Sequence, residues 1–195
     1  MAQILKEDVK QRIYEAAVEE FYRNDYRTAT IRNIALKANI PSGLVYSYYQ
    51  NKEDLFEAIV EPFVIKIDQL LKMEESKEGE NHGDPFTNFK QTELAFILNL
   101  MDSYKQLIIL IDKSNGTKYQ GFKDEIIHRL QLHIKSVFRE KQIQHLDDLL
   151  IHIWASSLIE GICEIIRHYK DREWAAQMLN LIAEQYCYGI NAFLH

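Results

Sequence analysis

The sequence predicts an all-α fold in which three N-terminal helices precede a larger helical body. Leu, Ile, Ala, Glu, Lys and Gln dominate over Val and Thr, a balance that favours helices over strands. Only three prolines and seven glycines interrupt the 195 residues. Hydrophobic residues make up 47% of the chain, which is enough to build a substantial core.

A first helix is predicted to end near residue 24. One face of it is largely apolar, with members that recur at steps of three and four residues: Val9, Ile13, Ala16, Ala17, Glu20 and Phe21. Asn24 or Asp25 can end this helix in the left-handed conformation that usually requires glycine.

Local signals place two short helices next. Thr30 is a good N-cap for a second helix of about eight residues, and Asn39 suits a left-handed stop after it. Pro41 can occupy the first turn of a third helix, because that turn does not need the missing backbone donor. The third helix must be short, since Asn51 and the acidic residues after it begin a fourth helix.

The fourth helix runs over about residues 52–73 and contains Pro62. A proline inside a helix removes one hydrogen bond, so we expect a kink between Ala58 and Pro62. The charged stretch 74–85 contains glycine and no apolar run, and it is the clearest linker in the chain.

Long helical patterns follow the linker. They cover residues 86–112 with a break near 102–106, 119–141, 145–169, and 174 to the end. We therefore divide the chain into residues 1–50, a three-helix unit, and residues 51–195, a helical body, with the fourth helix connecting the two.

Charge and cysteine content argue against several classes of protein. The formal net charge of −6 disfavours a general nucleic-acid coat protein. Cys163 and Cys187 lack CxxC spacing, so we expect two reduced thiols in the core. The N-terminus is too charged for a signal peptide, and no run approaches the roughly 20 apolar residues of a membrane span. These features predict a soluble cytoplasmic protein without membrane contacts.

Residues 30–50 have the pattern of a helix-turn-helix. In that motif the second helix enters the major groove of DNA, while the first helix crosses the backbone. Small, polar and hydroxyl-bearing side chains suit close contact with bases and phosphates, and the third helix and the residues after it offer Ser42, Gly43, Tyr46 and Tyr48. The pattern alone also fits helical proteins that bind no DNA.

A more specific pattern runs without a gap from Ala16 to Phe56. Its members are Ala16, Ala17, Phe21, Tyr26, Thr28, Thr30, Ile31, Ile34, Ala35, Ala38, Gly43, Tyr46, Tyr49, Lys52, Glu53 and Leu55. This pattern resembles the N-terminal DNA-binding domain of the tetracycline-repressor (TetR) family. The resemblance implies a DNA-binding domain followed by a body that binds a ligand and forms a dimer.

The sequence departs from the family pattern at several positions. Asp25 and Asn39 replace glycines, which is tolerable because Asp and Asn adopt left-handed geometry more easily than most residues. Asn33 replaces the acidic residue that usually completes the capping box of the second helix. Pro41 and Ser42 replace a Ser-Lys pair, which removes a cation from the expected DNA surface.

The resemblance and the side-chain chemistry together imply a set of DNA contacts. Candidates for phosphate contact lie at helix N-termini or carry a hydroxyl: Thr30, Tyr48 and Lys52. Candidates for base contact are Ser42, Gly43 and Leu44. Tyr46 lies either beside them or packed beneath, and Tyr49 is expected in the core. Three nearby cations either assist or remain solvated surface charges: Arg27, Arg32 and Lys37.

The last two predicted helices favour a homodimer formed through a four-helix bundle, because they combine wide apolar surfaces with small residues. The predicted interface consists of Ser157, Gly161, Ile165, Met178, Ile182, Tyr186 and Gly189. Two recognition helices related by a two-fold axis would read an inverted-repeat operator in double-stranded DNA.

Candidates for a pocket that binds a small, partly apolar effector come from several helices: Phe89, Phe96, Leu100, Tyr104, Phe122, Ile126, Trp154 and Leu158. Each of them fits the core equally well. His145, Asp148 and His152 share one helix face and are metal-ligand residue types. A solvated helix start explains these three more simply, so we expect neither a metal nor a cofactor.

These observations predict a ligand-responsive transcriptional repressor, in which an effector bound by the body alters the spacing of two DNA-reading units. The alternative is an all-helical enzyme or small-molecule-binding protein without a DNA role. Against an enzyme, the sequence offers no nucleophile–base arrangement, glycine-rich phosphate loop or firm metal motif. An activator, or a DNA-binding protein without an effector, fits the sequence as well as a repressor does.

Overall fold

The computed structural model describes the backbone of residues 2–75, 91–140, 142 and 146–191, and the side chains of residues 6–72, 93–140, 142 and 146–189. Regular structure within these residues is entirely helical, which confirms the all-α prediction. The helices are α1 Ala2–Arg23, α2 Ile31–Lys37, α3 Ser42–Val45, α4 Lys52–Glu75, α5 Gln91–Met101, α6 Tyr104–Asp112, α7 Phe122–Glu140, α8 Asp148–Arg167 and α9 Arg172–Asn191.

The chain divides into two compact units, each built from two separate stretches of sequence. The first unit comprises Met1–Ile65 and Lys105–Gln120, and the second comprises Lys66–Tyr104 and Gly121–His195. Besides the three N-terminal helices, the first compact unit therefore contains the first part of α4 and most of α6. A functional boundary at residue 50 stays a prediction.

A side chain, rather than left-handed backbone, closes the turn after α1. Asp25 Oδ1 accepts hydrogen bonds from the backbone N–H and the hydroxyl of Thr28, both at 2.8 Å. Among the described non-glycine residues, positive φ occurs at Asn39 and Gln142, so the left-handed stop expected at Asn24 or Asp25 is wrong. The carboxylate of Asp25 stabilises the turn directly, which a glycine cannot do.

Local caps set the boundaries of α2 and α4 as predicted. Thr30 Oγ1 accepts the backbone N–H of Asn33 at 3.2 Å, and Asn39 ends the turn after α2 with a φ of 54°. Asn51 Oδ1 accepts the backbone N–H of Asp54 at 2.9 Å, and Asp54 in turn accepts the backbone N–H that precedes Asn51 at 2.8 Å. This reciprocal cap begins α4 soon after α3, and α3 accordingly has only four residues.

The predicted features of the middle of the chain have mixed outcomes. α4 continues as a helix through Pro62, and the kink expected there stays a prediction. The break expected near residues 102–106 is confirmed at Asp102 and Ser103, between α5 and α6. Residues 76–90 include most of the predicted linker, and they lie outside the described residues.

The core of the second unit lies between α7 and α8. Its buried members are Ile127, Ile134, Val137, Phe138, Ile151 and Ala155. Trp154 stacks on Phe138 with ring centroids 6.1 Å apart, and it packs against this cluster. α9 also packs on α8, so α8 is covered on two sides.

α8 corrects one expectation about apolar runs. The helix has 20 residues, and an 18-residue window of it reaches a mean hydropathy of 1.6. By length and composition alone it is therefore long and apolar enough to cross a membrane, contrary to the sequence-based prediction. About a third of that window, 33%, is buried inside the protein, as expected of a helix that packs against α7 and α9.

Candidate nucleic-acid interface

α3 has one buried face and one exposed face. Pro41 forms its N-cap with a φ of −63°, in extended backbone before the first turn. Val45 is fully buried, and Tyr49, just beyond the helix, is 7% exposed. Ser42 and Gly43 are exposed at its start. The helix is thus anchored by one side, and two of the three residues predicted to contact bases, Ser42 and Gly43, lie on the surface.

The three tyrosines of this region have different environments. Tyr46 is 56% exposed, Tyr48 is partly buried, and Tyr49 lies in the core. Burial raises the pKa of the Tyr49 hydroxyl. The core position predicted for Tyr49 is confirmed, and Tyr46 lies at the surface rather than packed beneath the helix. Leu44 is partly buried.

Glu20 connects α1 to α2 through a buried carboxylate, a role that the sequence analysis missed. Its side chain is 2% exposed, and it accepts a hydrogen bond from Asn33 Nδ2 at 3.0 Å and pairs with Lys37 Nζ at 2.7 Å. Burial opposes its ionisation, but these donors outweigh burial and hold the pKa of Glu20 below its ordinary value. The family pattern has an acidic residue at position 33 that completes the capping box. Here Asn33 donates a hydrogen bond to the Glu20 carboxylate of α1 instead.

Lys52 binds the loop between α1 and α2. Its ammonium donates to the carbonyl oxygens of Tyr26 at 2.7 Å and Ala29 at 3.0 Å, with that of Arg27 at 3.4 Å. The same ammonium lies 4.5 Å from the centroid of the Tyr26 ring, close enough for a cation–π contact. The phosphate contact predicted for Lys52 stays a prediction, but its ammonium stabilises the loop in the free protein.

Residues 105–120 belong to this unit although they are distant in sequence from its helices. Lys105 Nζ pairs with Glu19 at 2.9 Å, and the backbone N–H of Tyr26 donates to the carbonyl of Lys113 at 2.9 Å. These contacts hold the end of α1 and the loop after it. The sequence analysis assigned this segment to the body, and no local signal indicated its contacts.

Many cations of the first unit already have anionic or carbonyl partners: Arg12, Arg23, Lys37, Lys52, Lys105 and Lys118. Lys37 is therefore not a free surface charge. Arg27 and Arg32 are exposed, and neither forms an ion pair within the described part of the chain. Thr30 is also exposed, at the N-terminus of α2. Exposed arginines without an ion pair are available to neutralise phosphates.

Comparison with known proteins identifies this three-helix unit. Residues 13–59 match the family model described as bacterial regulatory proteins, tetR family. These residues form a DNA-binding domain of the TetR family. The protein is a DNA-binding transcriptional regulator.

Relatives of this regulator match well beyond the DNA-binding domain. It is 29% identical over 134 residues to the uncharacterized HTH-type transcriptional regulator YhgD of Bacillus subtilis, covering 69% of this chain and 67% of that protein. It is 24% identical over 179 residues to IcaR of Staphylococcus epidermidis, described as a negative transcriptional regulator of the biofilm operon icaADBC, with 90% of each chain covered.

Solved structures share the fold over nearly the whole chain. A TetR-like transcriptional regulator from Rhodococcus matches with a TM-score of 0.60 at 18% identity, covering 93% of this chain and 96% of that one. FadR from Bacillus subtilis, in complex with stearoyl-CoA, matches with a TM-score of 0.53 at 20% identity, covering 92% of this chain and 98% of that one.

The predicted dimer residues of this regulator separate into surface and interior positions. Ser157 and Gly189 are exposed, and Met178 is partly exposed. Ile165 is only 3% exposed within a single chain, so it offers little side-chain area to a partner. The predicted dimer interface stays a prediction.

Two further predicted dimer residues pack within the chain. A Cβ added to Gly161 would lie 2.9 Å from Cδ1 of Ile182, so this glycine permits the close approach of α8 and α9 in one protomer. Tyr186 packs against the α7–α8 core, and burial raises the pKa of its hydroxyl well above the ordinary value. The exposed apolar side chains of α8 and α9 are Leu149, Ile153, Leu181 and Tyr188.

The predicted effector residues lie partly in the core. Leu100 and Leu158 are buried, with 7% and 4% exposure. Tyr104 stacks on Tyr169 with ring centroids 5.2 Å apart. The partly exposed candidates are Phe96, Phe122, Ile126 and Trp154, and Phe89 lies outside the described residues. The pocket stays a prediction.

Of the three possible metal ligands His145, Asp148 and His152, the two that the structure describes contact other residues. Asp148 pairs with Lys135 at 2.7 Å, and His152 lies 3.3 Å from the hydroxyl of Ser156. His145 lies outside the described residues. Within the described part of the chain, no group of three or more potential metal ligands is assembled.

Proposed function

We propose that this regulator is a ligand-responsive repressor that binds an inverted-repeat operator as a homodimer. The observation that carries the proposal is the exposed start of α3, where Ser42 and Gly43 lie on the surface while Val45 anchors the helix in the core. A short helix held from behind can enter the major groove without distorting its own unit. The name of IcaR as a negative regulator supports the choice of a repressor.

The proposed DNA contacts combine base and phosphate recognition. Bases contact Ser42, Gly43, Leu44 and Tyr46. Phosphates contact Thr30, Tyr48 and the N-terminus of α4 at Lys52. Arg27 and Arg32 add positive charge on exposed positions of the same unit.

The proposed homodimer forms through α8 and α9. Leu181 and Tyr188 on α9 are 60% and 75% exposed, and Leu149 and Ile153 on α8 are 63% and 48% exposed. Exposed large apolar side chains on adjacent helices are typical of interfaces. Two protomers that bury them form a four-helix bundle and present two copies of α3 to one inverted repeat.

The proposed effector is a small, partly apolar molecule bound by the second unit. FadR was solved with stearoyl-CoA, which supports an amphipathic ligand for a protein of the same fold. α4 contributes residues to both compact units, so we assign it the coupling of effector binding to DNA release. We propose that the protein has no enzymatic activity and that it binds its operator in the cytoplasm.

A mobility shift with DNA that flanks the protein's own gene tests this function. We expect a specific complex that survives excess unrelated DNA and weakens as salt rises, because phosphate contacts release counterions. Tyr46→Ala should weaken the specific complex, whereas Leu132→Ala, which truncates a 53% exposed side chain on α7, should leave its affinity unchanged. Absence of specific, salt-sensitive binding by a well-folded protein would favour a helical small-molecule-binding protein or enzyme without a DNA role.

A further inference from the structure

The segment around α3 lacks charged side chains. From Ala38 to Asn51 the sequence contains no Asp, Glu, Lys or Arg. Guanine is read mainly by Arg or Lys, and adenine mainly by the amide of Asn or Gln. α3 carries none of these four residue types, so its chemistry for reading bases is restricted to hydroxyl and apolar groups.

Three amide residues flank α3, and all of them lie outside the helix. Asn39 forms the left-handed turn before it with a φ of 54°. Gln50 and Asn51 follow Tyr49, and Asn51 uses its side-chain oxygen to cap α4, accepting the backbone N–H of Asp54 at 2.9 Å. Direct readout by α3 itself therefore depends on the side chains of the helix and on Tyr46.

The exposed groups of α3 present apolar surface with space in front of it. Tyr46, at the end of the helix, is 56% exposed, and Leu44, two residues earlier, is partly exposed. A Cβ added to Gly43 would meet nothing within 4 Å, so this glycine does not make room for another part of the protein. Its missing side chain instead allows the backbone of α3 to approach a ligand closely.

We propose that α3 recognises thymine through its 5-methyl group, with Leu44 and the ring of Tyr46 as the contacting groups. This inference rests on the proposed function and specifies which chemical group of the operator bases α3 contacts. Among the four base pairs, the thymine methyl is the apolar feature of the major groove. Gly43 lets the helix come close enough for Leu44 to cover this methyl. The hydroxyl of Ser42 can form a hydrogen bond with an adjacent base, either as donor or as acceptor.

Phosphate recognition is separate from this readout. α3 has no cation to contribute, whereas Arg32 is exposed on α2 and free of ion pairs within the described chain. Loss of one phosphate contact lowers the slope of log K against log salt by about 0.9. Arg32→Ala should therefore flatten the salt dependence, and Leu44→Ala should weaken binding without changing that slope.

Replacing thymine with uracil tests the proposal, because the substitution removes only the methyl group. The full-length protein is used to select its site from a random DNA pool, and each thymidine of that site is then replaced in turn by deoxyuridine. We expect a loss of about fourfold in affinity at one or more positions of each half-site, the value for one buried methyl group.

Variants of the protein identify the contacting groups. For Leu44→Ala and for Tyr46→Ala, replacing thymine with uracil at one position should no longer lower the affinity. The control Leu132→Ala, which changes an exposed leucine, should keep every loss of affinity seen with the wild type. Leu44→Met tests the same contact with a side chain of similar volume if Leu44→Ala fails to fold, and it should keep a reduced penalty.

Two negative outcomes are distinguishable. If a sequence is selected but uracil and thymine forms bind equally, or if both alanine variants keep every penalty, the inference about methyl groups is overturned and the proposed function stands. If no DNA sequence is enriched by the folded protein, the proposed function fails and this inference fails with it.

Discussion

At the scale of single residues, Glu20 couples the first two helices of the DNA-binding unit. A carboxylate that is 2% exposed stays ionised here because Lys37 and Asn33 donate to it from α2. Removal of one donor from a buried acceptor costs more than the bond itself is worth, since the acceptor cannot return to water. This contact therefore stabilises the packing of α2 on α1.

Lys37→Met tests the contact by removing the ammonium while retaining most of the alkyl chain. We expect a loss of about 2 kcal/mol in the free energy of unfolding, measured by urea denaturation. Lys10→Met, at an exposed position of α1, is the matched control and should change stability by less than about 0.5 kcal/mol. Equal stabilities for the two variants would contradict the assigned role of Glu20.

The depressed pKa of Glu20 also predicts a pH dependence. Its folded-state pKa lies below its unfolded value, so its contribution to stability is present above the ordinary glutamate pKa and is lost as pH falls through the folded value. The stability gap between wild type and Glu20→Gln should therefore be wide at neutral pH and narrow under acid conditions. Urea midpoints measured across this pH range check it, and a gap independent of pH would exclude the ion pair as its cause.

At the scale of helices, local caps made much of the N-terminal fold predictable. Thr30, Asn39 and Asn51 act within a few residues of themselves, so the sequence around them determines where helices begin and end. Asp25 was misjudged because its side chain closes the turn that a left-handed residue was expected to close.

Contacts between distant residues were not predictable in the same way. Lys52 reaches the carbonyl of Tyr26, and Lys105 reaches Glu19, although nothing in the local sequence of either lysine indicates the partner. Glu20 lay in an apolar stripe, and helical periodicity does not reveal which donors face a charged member of such a stripe. The candidate DNA residues were recognisable because a motif, rather than a set of long-range contacts, defines their positions.

Pro62→Ala tests the energetic cost of the proline inside α4. The alanine restores a donor for the carbonyl of Ala58, so we expect a gain on the order of 2–3 kcal/mol in the free energy of unfolding. Pro62→Gly restores the donor with a poorer helix former and should gain about 1 kcal/mol less. If Pro62→Ala is not more stable than wild type in thermal unfolding, Pro62 does not destabilise α4 as expected. Unchanged effector-induced DNA release in the same variant would remove Pro62 from the mechanism.

At the scale of the whole molecule, the proposed repressor works as a two-fold assembly. In this proposal each protomer supplies one α3, and the surface for pairing consists of the exposed apolar side chains Leu149, Ile153, Leu181 and Tyr188 on α8 and α9. Burial of this surface in a bundle would account for the high hydropathy of α8 without any contact with lipid.

Leu181→Glu tests this assembly by placing a charge on the proposed interface. Burying an unpaired charge is strongly unfavourable, so we expect a monomer by analytical ultracentrifugation and a large loss of operator affinity. Leu132→Glu, a similarly exposed position on α7, should remain dimeric and bind DNA normally. A Leu181→Glu variant that is still dimeric would place the interface elsewhere.

Selection of bound sequences from a random DNA pool tests whether this regulator reads an operator as a homodimer. We expect enrichment of an inverted repeat whose two half-sites are centred about one helical turn or more apart, bound by two protomers. A well-folded protein that enriches no sequence, or that enriches a single half-site without a symmetric partner, would contradict a homodimeric operator-binding regulator.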